Sequence, residues 1–92
     1  MKFGIAIRVS GRYIRLQVER IYLSDQIEKF EIKARNKSLT IQSNRPLLRG
    51  KGIKHRRPDY KLIAGLINAP GVVNNIIDTL HYYLKNDEKK FN

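Results

Sequence analysis

The chain has 92 residues, a length that suits one domain with a modest hydrophobic core. Hydrophobic residues make up 41% of it, too many for a disordered chain, and the absence of cysteine excludes a disulfide framework and Cys-based zinc or redox sites. Lys and Arg number 19 against 8 Asp and Glu, so the formal net charge is +11. A charge of this sign and size favours association with polyanions such as nucleic acid or anionic lipid.

The apolar residues are too dispersed for a membrane-spanning segment, which needs about 18 or more in succession. The first apolar stretch, residues 3–7, ends at Arg8 and is too short for the core of a signal peptide. We therefore expect a cytoplasmic protein with no membrane span. Only His55 and His81 could supply imidazole ligands, so we expect neither a structural metal nor a cofactor.

The first half of the chain alternates between apolar and polar residues with a period of two, which predicts β-strands. The first run covers residues 3–9, and Ser10-Gly11 then supplies a tight turn. The second run begins near Ile14 and loses its phase between residues 19 and 23, which indicates a β-bulge or the end of the strand.

Two further alternating runs predict a hairpin. They cover residues 30–34 and 39–41, and Asn36-Lys37 separates them. A helix over residues 24–33, capped by Ser24, is the alternative for the first of these runs.

The last third of the chain predicts one more strand and a helix. The apolar run at residues 60–67 predicts a fifth strand, more buried than the others because it offers apolar groups to both faces. Residues 68–71 mark a break and a helix start, with Pro70 in the first turn. The helix then presents an apolar stripe at i, i+3, i+4, i+7 and i+11, formed by Val73, Ile76, Ile77, Leu80 and Leu84.

Together these elements predict a small α+β fold. It consists of an antiparallel sheet of four to five strands with one C-terminal amphipathic helix packed on one face. Residues 1–85 form a single domain in this interpretation, and residues 86–92 form a charged C-terminal tail.

Positive charge is concentrated in the middle of the chain. Residues 45–58 carry six Lys and Arg and no acidic residue, whereas residues 59–92 carry four of each sign. We call residues 45–58 the basic segment. Charges this close repel one another unless water, salt or a polyanionic partner screens them. The predicted nucleic-acid-binding residues of this segment are Arg45, Arg49, Lys51, Lys54, His55, Arg56 and Arg57.

We predict that the basic segment is a loop that packs against the domain. Pro46 and Pro58 bracket it, and Leu47, Leu48 and Ile53 offer apolar groups to the domain. Arg and Lys reach phosphate oxygens, and fixed cations lose less conformational entropy on binding than mobile ones. The alternative is a solvated connection that is basic only because the whole protein is.

The outward face of the sheet could extend this surface. Its predicted cations are Arg8, Arg15, Lys29, Lys33 and Arg35, opposed by Glu19 and Glu31. Tyr13 is the one aromatic residue that the alternation places on the outward face. This argues against the aromatic stacking platforms that proteins use to bind single-stranded nucleic acid. Ordinary cross-strand ion pairs are the alternative explanation of this face.

His55 lies among cations and could act as a general acid or base on a phosphodiester, with Arg56 or Arg57 stabilising negative charge. Such a small metal-independent ribonuclease needs a second catalytic group, and the sequence does not place one beside His55. His81 lies at the rim of the apolar stripe of the helix and reads as an ordinary boundary residue.

The leading hypothesis is therefore a non-enzymatic module that binds nucleic acid, or another phosphate-rich polyanion, through the basic segment. The alternative from a different class is a protein-interaction module. In that case an edge of the sheet pairs with an identical edge to form a homo-oligomer, or accepts a strand from a partner.

Overall fold

The computed structural model describes residues 1–53, 55–65 and 70–90, with side chains except at positions 70 and 87–90. It confirms the small α+β fold, an antiparallel sheet with a C-terminal helix. Each strand pairs with the next along the chain, in the order β1-β2-β3-β4-β5. The elements are β1 (Lys2–Val9), β2 (Arg12–Leu23), β3 (Glu28–Ala34), β4 (Lys37–Ser43), α1 (Arg45–Gly50), β5 (Tyr60–Ala64) and α2 (Pro70–Lys90).

The turns of the sheet follow from their residues. Ser10 and Gly11 both have positive φ, 51° and 81°, and thereby form the tight turn that a two-residue hairpin requires. The register shifts between Arg20 and Tyr22 while β2 continues to Leu23, so of the two expectations for the loss of phase a bulge is correct and a strand end is not. Ser24 Oγ accepts the backbone N–H of Ile27 at 3.0 Å and holds a turn before β3. The alternative of a helix over residues 24–33 is therefore wrong.

One face of the sheet packs against α2 and forms the core. Most of the alternating residues of the strands are buried or half-buried as predicted, but Ile14 is 38% exposed. Of the predicted stripe of α2, Ile76, Leu80 and Leu84 are buried and Ile77 is partly buried, whereas Val73 is not part of the core cluster. Phe3 stacks on Tyr83 with ring centroids 4.0 Å apart, and the side-chain amide of Asn75 donates to the backbone oxygen of Arg8 at 2.9 Å. The fully or almost fully buried core residues include Phe30, Ile32, Ile41, Ile76, Leu80 and Leu84.

The sheet has two distinct ends. The turns at residues 10–11 and 35–36 lie at one end, which we call the turn end. The turn at 24–27 and the basic segment lie at the other, which we call the α1 end. The helix α2 runs from the turn end, where Asn75 meets Arg8, toward the α1 end. Within the described part of the chain, neither helix has the length and apolar character needed to cross a membrane.

The prediction that β5 is the most buried strand is wrong. Among the described strands it is an edge strand with β4 as its one neighbour, and Leu62 and Ile63 are 37% and 43% exposed. The predicted extension of this strand to residues 66–67 and the helix start at 68–69 lie outside the described residues. Residues 86–90, expected to begin a charged tail, continue α2, and positions 91–92 of that tail are not described.

Candidate functional site

Hydrogen bonds between Asn44 and Asp59 close the base of the basic segment. The backbone N–H of Asp59 donates to the Asn44 side-chain oxygen at 2.7 Å, and the Asn44 amide donates to the Asp59 carboxylate at 3.3 Å. A backbone bond from Asn44 to Asp59 adds a third link at 3.3 Å. These bonds continue the pairing of Ser43 with Tyr60, so the segment leaves and re-enters the sheet at one point.

The first part of the basic segment is helical, where the sequence predicted a loop. Pro46 lies in the first turn of α1, where its missing N–H and fixed φ are tolerated. Ser43 Oγ accepts the backbone N–H of Arg45 at 3.0 Å, which satisfies one donor of the helix start. Leu48 is buried, and its backbone oxygen accepts the N–H of Ile53 at 2.9 Å. Residues 45–53 of the segment are therefore held against the domain by apolar and polar contacts.

Arg45, predicted among the contact residues, is buried, with 8% of its surface exposed. Its Nε and Nη2 donate to the two carboxylate oxygens of Glu28 at 2.7 and 2.9 Å, a bidentate pair. Glu28 is fully buried, and Arg20 approaches the same carboxylate at 3.7 Å. Arg45 therefore joins α1 to β3, and we leave it out of the contact surface.

A cleft of about 390 Å³ separates the basic segment from the C-terminal half of α2. Four residues supply its apolar lining, namely Leu48, Ile53, Pro58 and Leu84. Every other residue that the structure places in the lining is basic, and we call this site the cationic cleft. These residues are Arg45, Arg49, Arg56, Arg57 and Lys85, together with His55 and His81.

Two cations of the cationic cleft pair with exposed carboxylates. Arg57 pairs with Asp78 at 2.7 Å, and Arg56 is 3.9 Å from Asp59. All four side chains are more than half exposed, so these pairs hold weakly and can exchange for another anion. Among the described residues, three carboxylates pair with cations of the lining, namely Asp78, Asp59 and the buried Glu28.

His81 was not predicted at the site. Its Nδ1 shares a hydrogen bond of 3.0 Å with the Tyr60 hydroxyl, and the two rings meet edge to face. The guanidinium of Arg57 lies 5.9 Å from the Tyr60 ring centroid. Because His81 and Lys85 are one helical turn apart, the sequence could have placed them on one face of α2. It could not show that this face meets the basic segment.

The other predicted cations lie elsewhere. Lys51 is exposed just after α1, and Lys54 lies outside the described residues. Arg8, Arg15 and Lys33 occupy the sheet face opposite α2, and Arg35 lies in a turn at the turn end. The sheet therefore separates Arg8, Arg15 and Lys33 from the cationic cleft, and they do not extend it.

The outward face is itself partly neutralised. Lys2 on β1 pairs with Glu19 on β2 at 3.3 Å, a cross-strand ion pair of the kind that the alternative predicts. Lys33 pairs with Glu31 of its own strand at 3.2 Å. The bulge also turns Tyr22 outward, beside Lys29, which makes it a second aromatic residue of this face.

Comparisons with protein-family models, curated proteins and solved structures found no match for this chain. Among residues 1–53, 55–65 and 70–90, no three His, Asp or Glu side chains are grouped so that they could hold a metal ion. The chemistry of the cationic cleft is therefore the basis for a functional proposal.

Proposed function

We propose that this protein binds nucleic acid, or another phosphate-rich polyanion, in the cationic cleft. The observation that supports the proposal is a concave lining with four exposed Lys and Arg side chains, two histidines and, among the described residues, no carboxylate. Guanidinium groups donate two parallel hydrogen bonds to a phosphate, and ammonium groups add point charges. Such contacts provide affinity with little discrimination between sequences.

The rigid base of the segment favours this function. The Asn44–Asp59 hydrogen bonds and the buried Arg45–Glu28 pair hold the backbone at the start of the segment, which carries Arg49. The Asn44–Asp59 bonds also hold the end of the segment, where it enters β5. Side chains presented from an ordered backbone lose less freedom on binding than those of a mobile tail. The apolar part of the lining also gives a base or sugar a surface to contact.

The dependence of affinity on salt tests the proposal quantitatively. Arg49, Arg56, Arg57 and Lys85 are the exposed cations of the lining, so we expect about four phosphate contacts. Log K should then fall against log salt with a slope of about −2.8 on single strands, or about −3.6 on B-DNA. Fluorescence anisotropy with labelled oligonucleotides across a salt series measures these slopes. A flat response would contradict the proposal.

A pair of charge-matched variants separates the cleft from net charge. The substitutions Arg49→Glu and Arg56→Glu together should weaken binding at least about tenfold, because two charge-assisted contacts become repulsive. Arg12→Glu with Lys37→Glu makes the same change in net charge at the turn end and should alter affinity by less than about threefold. Equal losses in the two variants would show that binding reflects overall charge, and would refute a site at the cleft.

The exposed edge of β5 supports a second candidate function. Leu62 and Ile63 are partly exposed on a strand whose outer backbone edge faces no neighbouring strand in the described sheet. Such an edge can pair with the same edge of a second copy or with a partner strand. Sedimentation velocity at micromolar concentration tests self-association, and a monomer at every concentration would exclude the homodimer.

A further inference from the structure

The fold brings both histidines of the chain to one site. His55 belongs to the basic segment and His81 to α2, and both line the cationic cleft. Phosphate binding alone does not require them, because the Arg and Lys side chains already supply the charge. Histidine is the side chain that most readily both accepts and releases a proton near neutral pH. Two of them beside bound phosphate therefore suggest chemistry beyond binding.

The contacts of His81 resemble those of a positioned proton-transfer group. The hydrogen bond between its Nδ1 and the Tyr60 hydroxyl fixes the orientation of the ring. Tyr60 is in turn covered by the guanidinium of Arg57. His55 is exposed and precedes Arg56 and Arg57, so it can approach a phosphodiester from the opposite wall of the cleft.

The other lining residues suit a phosphodiester better than other substrates. Because no Asp or Glu of the described residues lines the cleft, the histidines are its candidates for general acid and base. Arg49, Arg56 and Lys85 can stabilise the negative charge that builds up on the phosphoryl oxygens in the transition state. The ribose 2′-hydroxyl of RNA supplies an internal nucleophile, so no metal-bound water is needed.

We propose that the cationic cleft cleaves RNA by transesterification, an inference that rests on the proposed binding of nucleic acid. One histidine accepts the proton of the 2′-hydroxyl while the 2′-oxygen forms a bond to phosphorus. The bond from phosphorus to the 5′-oxygen breaks, and the other histidine donates a proton to that oxygen. The products are a 2′,3′-cyclic phosphate and a 5′-hydroxyl, and the step consumes no water, oxidant or reductant.

Cleavage of a labelled RNA oligonucleotide in the presence of EDTA tests the inference. DNA of the same sequence is the control, because it lacks the 2′-hydroxyl nucleophile. We expect RNA to be cut, with a cyclic phosphate detected by mass spectrometry, and DNA to be bound but left intact. The rate should depend on pH with a bell shape, because one histidine must be neutral and the other protonated.

His55→Ala and His81→Gln should each lower the cleavage rate by about 100-fold or more, with DNA affinity changed less than about threefold. His55 is exposed, so its variant will fold, and thermal denaturation checks the second variant. Lys37→Glu, at the turn end, is the control that should keep the wild-type rate.

The outcomes separate the two proposals. RNA that is bound in the cleft and stays intact would overturn the cleavage step and leave the binding function standing. Cleavage that persists unchanged in His55→Ala would also overturn it, since the activity would then come from elsewhere. Absence of binding to both nucleic acids would remove the proposed function together with the inference.

Discussion

Replacing Glu28 with Gln should strongly destabilise the fold, because it removes the buried carboxylate that pairs with the guanidinium of Arg45. Glu28 is fully buried and accepts two charge-assisted hydrogen bonds from Arg45, at 2.7 and 2.9 Å. Arg20, 3.7 Å away, is a second cation and cannot replace the lost charge. Removal of one partner of such a pair costs about 3 to 5 kcal/mol, a large share of the roughly 5–15 kcal/mol that stabilises a domain.

Urea unfolding followed by circular dichroism measures this cost. With an m-value of about 2 kcal/mol per molar for a domain of this size, the midpoint should fall by about 2 M. The double variant Glu28→Leu with Arg45→Met should lose less stability than Glu28→Gln alone, because both buried charges leave together. A loss below about 1 kcal/mol for Glu28→Gln would refute the reasoning. A double variant that is less stable than Glu28→Gln would refute it as well.

Three further predictions follow from the packing and the surface charges. Leu80→Ala should cost about 3 to 4 kcal/mol in urea unfolding, because Leu80 is fully buried between α2 and the sheet; a loss under 1 kcal/mol would contradict this. Gly65→Ala should cost about 2 kcal/mol, since its φ is 94° and the new Cβ would lie 2.7 Å from a backbone oxygen of β4. Gly50→Ala, with open space around it, should be neutral or slightly stabilising in the same assay, and equal effects at the two glycines would be the contrary result. Asp78→Asn should change stability by less than about 1 kcal/mol and raise oligonucleotide affinity about two- to threefold in anisotropy assays, because it releases Arg57; weaker binding would argue against the site.

Local patterns were enough to predict most of the fold. The period of two in the first half of the chain corresponds to strands whose inward residues, such as Ile5 and Val18, are buried. The helical stripe around Leu80 and the phase slip before Leu23 were also predicted correctly, because each depends on residues close in sequence. The prediction for β5 failed because its apolar run shows two hydrophobic faces, and only the sheet order reveals that it is an edge.

The candidate site was predicted only in part, for a related reason. Charge density identified the basic segment, but it could not distinguish Arg45 from its neighbours. That distinction depends on Glu28, which is distant in sequence and reaches Arg45 only when β3 and β4 pair. His81 was missed because the packing of α2 against the basic segment is a tertiary contact with no local signature. The presence of α1 likewise reflects tertiary contacts of Leu48 and Arg45, since six residues do not form a stable helix alone.

The buried carboxylate of Glu28 has a consequence for forms of this chain from which the basic segment is deleted. The strands β4 and β5 are direct neighbours, and a two-residue turn would be long enough to connect them. A chain shortened in that way would keep the buried carboxylate of Glu28 without its bidentate partner Arg45, with Arg20 at 3.7 Å as the remaining described cation, and it would be less stable. Deletion of the basic segment would thus raise the share of unfolded chain that proteases can degrade, so a folded chain that lacks only the proposed site would be hard to obtain.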